Sequence, residues 1–511
     1  MLKMISRLVL RYHRWIGLLA ALPLMVWGLS GLSHPVMSRL QPQPAAMMPP
    51  TEMLGGFSRE QLAVVLPLSE ILPGHGIDRI SRARLLNWQG EAVWQVTLPG
   101  KAERLYLRAS DGALLPGMDE KVAVALARHY VGDQARAIAS VQRITQFSSD
   151  YQYVNRLLPV WRVEFAGGDH LRAFVETSPL RLATLDNDGK ALFGMLFRTL
   201  HSWAFIRDET LRDSVMTLFL VAALLSSLGG LWMYGFYWRQ PESGERTAPS
   251  RRWHRRLGLA VAITTLTFTG SAILHLQLLD KGSNEQPPVA LDQSLPASAL
   301  TRAPGALALQ EKEQIEILPL EGLAMVRLSL PPPSMVGKTG NTAMPSSDEH
   351  NHKHEHAGAA ARKQTAGERY ISMQDGAVLV SGPERQARHL GAAFAGLPAK
   401  EIISVERVTK FEGEYGFVNK RLPVWKVSFD TPDHLALYVE SGTGIKAAEV
   451  HEHQRFEGFV FAYLHKWVFL DGMGKNGRDF LAGLFAFLNV LVALLGLVLW
   501  SRRVRLSRRQ V

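Results

Sequence analysis

The chain contains no cysteine in 511 residues. This excludes disulfides, a thiol nucleophile, c-type haem attachment and iron–sulfur clusters held by thiolates. It also allows the chain to face an oxidising compartment without thiol chemistry. Other signatures are missing too: there is no P-loop, no dinucleotide fingerprint, no HExxH and no nucleophilic triad. Acidic residues are fewer than basic ones, giving a net charge of +11. Most of that excess sits in short clusters beside apolar runs, so it is not the footprint of a nucleic-acid partner.

The apolar residues gather in four runs, Trp15–Leu32, Val215–Trp238, Leu257–Leu274 and Phe480–Trp500. Each is near the roughly 20 residues that span hydrocarbon as a helix. Lys3, Arg7, Arg11 and Arg14 precede the first run, and Arg239, Arg246, Arg251, Arg252, Arg255 and Arg256 separate the second from the third. Arg502, Arg503, Arg505, Arg508 and Arg509 follow the fourth. The positive-inside rule puts both termini and the short link in the cytoplasm. The expected layout has membrane helices in 1–34, 213–238, 254–276 and 479–501, a cytoplasmic link at 239–253 and a basic tail at 502–511. Long external segments then occupy 35–212 and 277–478. The first run resembles a signal peptide in its basic start, but it is long for one and no A-x-A site follows. Its counterpart at 253–276 is internal, so both are read as permanent helices.

Laid over itself, the sequence repeats. RYHRWIGL (11–18) matches RWHRRLGL (252–259), and VQRITQFSSDYQYVNRLLPVWRVEF (141–165) matches VERVTKFEGEYGFVNKRLPVWKVSF (405–429) without a gap. DHLRAFVE (169–176) matches DHLALYVE (433–440), and TLHSWAFI (199–206) matches YLHKWVFL (463–470). Each half therefore reads as helix, external domain, LHxW segment, helix. Strand-like runs at Leu85–Leu98 and Val160–Glu176, with a helical pattern at Glu120–Tyr130, make the external domains α+β. The second half carries an insertion at about 333–367, rich in Gly, Ser, Ala and Pro, which reads as a disordered loop.

Six of the 17 histidines form three matched pairs beside the apolar helices: His13/His254, His34/His275 and His201/His465. A lone histidine at a membrane boundary is an ordinary amphipathic side chain. Three duplicated pairs point instead to a shared task, since an ionisable group in a membrane needs a partner. His13 and His34 are 21 residues apart, as are His254 and His275. On a helix that spacing rises about 31 Å and completes nearly six turns, so each pair shares one face. Packing of the first helix against the third would bring the rings together in an inner and an outer layer. Two neutral imidazoles from facing helices make a low-spin, electron-transferring haem iron. Gly17 and Gly258, one turn inward from His13 and His254, fit a need for close approach, although small-residue helix packing places glycines in the same way. Ser30, Gly31, Ser271 and Ala272 lie one turn inward from the outer histidines, and Arg14, Arg255 and Arg256 suit haem propionates as well as topology. The outer layer offers four candidates, His34, His275, His201 and His465, enough for one haem or two.

The insertion contains His350, His352, His354 and His356, which could collect Zn, Cu, Ni or ferric ions, but a flexible loop fixes no geometry. His451 and His453 are a weaker case. Tyr151, Trp161, Tyr415 and Trp425 occupy matched sites of the external domains, as core residues or as the lining of a cleft. The cytoplasmic parts are too short for a flavin or nicotinamide domain, so electrons have to come from quinol or another membrane donor.

The RYHRWIGL and RWHRRLGL starts, the LHSW and LHKW segments and the two PVW-containing domains resemble the PepSY-associated transmembrane helix family over nearly the whole chain. The fold this implies has four transmembrane helices in two repeats, with two α+β PepSY-like domains in the periplasm of a bacterium. The family includes iron-regulated inner-membrane proteins, among them ferric-siderophore reductases. The resemblance implies a reductase with two or more b haems, passing electrons outward to a ferric siderophore or other metal chelate so that iron is released. The matched ligand positions are His13, His254, His201 and His465, with His34 and His275 in their expected places. Two other expectations are a non-catalytic, membrane-anchored binding protein, and a metal-transport accessory built around the His-rich loop. The apolar helices offer no paired acidic residues and no evident polar path at their middles, which weighs against transport.

Overall fold

The computed structural model describes residues 2–236, 248–278, 288–307, 309, 313–330 and 368–508. His350, His352, His354 and His356 lie outside the described residues. The longer helices are α1 (Leu2–Leu40), α2 (Met118–Val131), α3 (Asp188–Leu200), α4 (Glu209–Phe236), α5 (Pro249–Leu278), α6 (Gly382–Ala395), α7 (Glu452–Val460) and α8 (Gly474–Arg508). The chain divides into two compact units: 1–41 with 188–281 and 453–511, and 42–187 with 282–452.

The first unit is helical. Four of its helices are long and apolar enough to cross a membrane: those of Met4–Leu40, Glu209–Phe236, Pro249–Leu278 and Val468–Arg505. Helix α1 packs against α4 and α8, and α5 packs against the same two. The first and third apolar helices are therefore diagonal in a four-helix bundle instead of direct neighbours. Between apolar helices in lipid, close van der Waals packing replaces the hydrophobic effect as the adhesive. The seams show it. Ala20, Ala222 and Ala223 are buried together between α1 and α4. A methyl group at Gly28 would fall 2.6 Å from Val490 Cγ2 on α8. The α5–α8 seam is more polar than its sequence suggested. Thr265 Oγ1 donates to Asn489 Oδ1, and Asn489 Nδ2 donates to the Phe485 carbonyl at 3.0 Å. Segments 188–212 and 453–478, which the linear reading leaves with the external domains, group with these helices.

The second unit is built on strands. Its seven-stranded antiparallel sheet runs in the order 378–379, 368–372, 323–329, 314–320, 82–88, 91–97, 104–108. Segments far apart in sequence thus share one sheet, joined where Leu85, Arg84 and Ala83 face Ile315, Glu316 and Ile317. Two four-stranded antiparallel sheets, 138–186 and 402–450, have their strands in sequence order. The alternation of apolar and polar residues decides which faces are covered. Val122, Leu126 and Tyr130 of α2 bury against Val163, Phe165 and Val175 of the first. Ala387 and Leu390 of α6 bury against Val427, Phe429 and Leu437 of the second. Tyr151 and Tyr415 are core residues, donating to the carbonyls of Leu157 and Arg421 at 2.8 Å each. Trp425 is buried, and Trp161 Nε1 donates to Asp119 Oδ2 at 2.8 Å. Charges are buried here in pairs. Glu440 accepts from Arg421 at 2.8 Å and also pairs with Arg181. Burial raises the Glu440 pKa, but the two guanidinium groups outweigh burial and hold it at about 2. Glu316 lies between Arg84 and Arg327 with the same result, about 2.

Candidate functional site

His13 on α1 and His254 on α5 meet across the diagonal of the bundle. Their ring centroids are 6.4 Å apart and their planes are inclined at 60°. His13 Nδ1 donates to the Ser226 carbonyl on α4 at 2.9 Å. His254 Nδ1 donates to the Val492 carbonyl on α8 at 3.1 Å. A carbonyl only accepts, so each Nδ1 carries the hydrogen and each Nε2 keeps its lone pair. This is the usual bracing of a metal-bound histidine, with the ring nitrogen away from the metal tied to a backbone oxygen.

The separation tests the fit to haem. Two imidazoles on opposite sides of one metal, with nitrogens about 2.0–2.1 Å from it and about 1.1 Å from their own ring centres, put the centres about 6.3 Å apart. The observed 6.4 Å agrees. Diagonal helices also suit a macrocycle, because α1 and α5 each pack more closely on α4 and α8 than on one another. Among the described residues no three His, Asp or Glu side chains gather as a metal cage. A pair of imidazoles is the donor set that haem requires, its other four donors being its own.

Gly17 and Gly258 lie beside the residues whose carbonyls brace the rings. A methyl group at Gly17 would lie 3.2 Å from Ser226 Oγ, and one at Gly258 would lie 4.0 Å from Val492 Cγ1. Each glycine thus faces the residue whose carbonyl holds the neighbouring imidazole. The glycines lying against the rings are ones the sequence reading passed over. A methyl group at Gly230 would be 3.7 Å from His13 Cε1, and one at Gly496 would be 3.4 Å from His254 Cε1. Gly229 is 3.6 Å from His13 by the same measure. The signal was present in SLGGLW and ALLGLV, which place Gly230 and Gly496 four residues beyond Ser226 and Val492.

The other four matched histidines sit near the other end of the bundle. Ser30 Oγ donates to the Val26 carbonyl at 2.7 Å and so accepts from His201 Nδ1 at 3.1 Å. Ser271 Oγ donates to the Thr267 carbonyl at 2.6 Å and accepts from His465 Nδ1 at 3.2 Å. Both hydroxyls fix the same tautomer, with Nε2 left holding its lone pair. Trp203 and Trp467, two residues on, have left-handed backbones with φ of 50° and 55°. Trp203 stacks on Trp27 at 5.3 Å, and Trp467 stacks on Phe268 at 5.2 Å. Trp27 Nε1 also donates to the His201 carbonyl at 3.0 Å. The LHxW motif is thus a tight turn pinned by its tryptophan, with the histidine presented just before it.

His34 and His275 are set apart by phenylalanines. Phe197 lies 5.6 Å from the His34 ring and 4.6 Å from His201. Phe461 lies 4.4 Å from His275 and 4.5 Å from His465, nearly parallel to both. His275 Nδ1 is bonded to Glu457, whose place in the matching first-half segment is taken by Phe193. In the strand unit, His451 bonds Asp433 from Nδ1 and Glu449 from Nε2, at opposite edges of its ring. Burial there lowers its pKa, but the two carboxylates outweigh burial and raise it. No family model matches the chain, and no curated protein matches it.

Proposed function

We propose that the protein is a bacterial inner-membrane reductase carrying two or more b haems, which delivers electrons to a ferric siderophore or similar chelate in the periplasm. The observation that carries this reading is the His13/His254 pair, 6.4 Å apart with each Nδ1 tied to a carbonyl. Haem held by two imidazoles supplies reversible one-electron transfer. His13 and His254 hold the inner group, with Ser226 and Val492 setting their tautomer and Gly230 and Gly496 lying against the rings. His201 and His465, braced by Ser30 and Ser271, hold the outer one. The likeness to the PepSY-associated family, the duplicated halves, the cytoplasmic termini and the periplasmic strand unit belong to the same reading. Quinol or another membrane donor supplies the electrons. The strand unit presents the chelate, which gives up iron because Fe(II) is held far more weakly than Fe(III).

The test is spectroscopic. Protein purified in detergent should show a b-type Soret band that shifts on reduction, and a ferric chelate should reoxidise it. His254→Ala should remove the inner share of the absorbance while the strand unit stays folded. A colourless wild-type preparation would overturn the proposal, as would His13→Ala and His254→Ala variants with unchanged spectra; either result favours the anchored binding protein.

A further inference from the structure

We infer that the two LHxW segments are re-entrant: α3 with its turn, and α7 with its turn, dip into the bilayer and return, so that lipid acyl chains cover their outward faces. This rests on the four long helices crossing a membrane and is independent of the iron chemistry.

Depth is fixed by four ring contacts. Trp203 meets Trp27 at 5.3 Å and Phe219 at 5.6 Å. Trp467 meets Phe268 at 5.2 Å and Phe485 at 5.5 Å. Trp27 lies five residues inside the end of its apolar run at Leu32, and Phe219 lies four inside the start of its run at Val215. Phe268 lies six residues inside Leu274, and Phe485 lies five inside Phe480. At 1.5 Å per residue, all four partners sit about 6–9 Å within the apolar zone. Four independent helices agree. Both tryptophan turns therefore lie inside hydrocarbon, well below the boundary on that side.

A turn at that depth needs its backbone groups satisfied without water. Ala204 N–H donates to the Arg198 carbonyl at 3.0 Å and Ile206 N–H to the Trp203 carbonyl at 2.9 Å. The matching turn has Lys466 N–H on the Phe461 carbonyl at 3.1 Å and Leu470 N–H on the Trp467 carbonyl at 2.9 Å. Trp27 Nε1 takes a further carbonyl, that of His201.

The outward faces complete the case. The inward face of α3 puts Phe197 against His34 and His201, yet Leu192, Met195, Leu196 and Leu200 are exposed at helical spacing on the other side. Along α7 and its following turn the exposed residues are Glu452 and His453 at the helix start, then Phe456, Phe459, Leu464 and Phe469. Apolar side chains left exposed opposite a packed helix face call for a nonpolar medium. Helix α3 packs on α1, whose own Leu29, Val36 and Leu40 are exposed, so the apolar belt of the bundle continues onto it. Lipid is the occupant that this continuity favours.

The cysteine-free chain makes the test clean. Single variants Met195→Cys and Phe459→Cys, at positions 49% and 56% exposed, carry a nitroxide label in proteoliposomes. Leu218→Cys on α4 marks the lipid-facing belt, and Val380→Cys in the strand unit marks water. Collision rates with oxygen and with a water-soluble nickel chelate are compared. The expected oxygen-to-nickel ratio at Met195→Cys and Phe459→Cys is that of Leu218→Cys, and several-fold above that of Val380→Cys. A ratio like that of Val380→Cys at either position overturns the inference. So does shielding from both reagents with spin–spin broadening, which would mean a second copy covers the face. A water-like ratio at Leu218→Cys would instead refute the membrane reading on which the inference stands.

Discussion

Replacing Gly496 separates a steric seat for His254 from ordinary helix packing. The glycine lies on α8, which has no histidine in its apolar run, and it meets the candidate centre through the His254 ring, one turn beyond the bracing Val492 carbonyl. An alanine methyl would stand 3.4 Å from His254 Cε1 and 3.9 Å from its Nδ1, at the near edge of normal contact. Gly496→Ala should therefore leave the ring in place, and should gain up to about 1 kcal/mol of helix propensity. Valine adds two carbons about 1.5 Å further out, and in a helix its χ1 is almost fixed, so it cannot rotate them away. A γ carbon directed at Cε1 displaces the ring, and the Nδ1 bond to Val492 with it. Bracing contacts of this kind are worth about 10–100-fold in metal affinity. The prediction is graded: Gly496→Ala keeps full haem content, whereas Gly496→Val loses haem at the inner level by about 10–100-fold. Haem is measured as the pyridine haemochrome per mole of monodisperse protein, with strand-unit circular dichroism confirming the fold. If Gly496→Val bound haem as wild type does while His254→Ala lost it, the steric argument would fail and the ligand assignment would stand.

Other outcomes follow from the same contacts. Ser271→Ala removes the acceptor for His465 Nδ1–H; at about 1 kcal/mol for such a bond, haem should leave the outer level roughly fivefold more readily. Transfer to an apo-haem acceptor protein measures this, and an unchanged rate would remove Ser271 from the site. Glu440 has a folded pKa near 2, below its ordinary value of about 4.3, so its stabilisation is complete above pH 4.3 or so and is lost as pH falls toward 2. The melting temperature of the strand unit should fall across that window, while Glu440→Gln, which leaves Arg421 and Arg181 to share Glu176 alone, should cost less at neutral pH than the about 3–5 kcal/mol of a fully unpaired buried charge. Deleting 348–356 should leave haem content and chelate reduction unchanged in the spectroscopic assay; a loss of turnover would return the His-rich loop to the site.

The four long helices were legible because a 20-residue apolar run has few alternatives. The strand-like run at Leu85–Leu98 appears as two strands, 82–88 and 91–97, and the Glu120–Tyr130 pattern as Met118–Val131. The inner pairing of His13 with His254 was legible from duplication plus a period of 3.6. Its geometry was not. Periodicity says which face a histidine occupies, but not whether the helices carrying it are neighbours or diagonal. The same gap hid the neighbours of Gly17 and Gly258, which face Ser226 and Val492. Glu457 was missed because its partner His275 is 182 residues away and the other half has phenylalanine in its place. The LHxW turns were seen as motifs, but a tryptophan with positive φ leaves no trace in a pattern of residue types.

The seam of the seven-stranded sheet also bears on whether the chain works as two pieces. Each strand at the seam opens a tight hairpin, 82–88 before 91–97 and 314–320 before 323–329, so each could offer its bare edge to another copy of itself. The register puts Arg84 opposite Glu316, and the two pair as ions. Self-pairing in that register would set arginine against arginine or glutamate against glutamate, which is unfavourable for residues directly opposite. Charge thus makes the two edges complementary to each other and poor partners for themselves. A fragment ending before α5 would carry an open edge that resists closing on its twin, and its partner of choice would be the other fragment, supplied in trans.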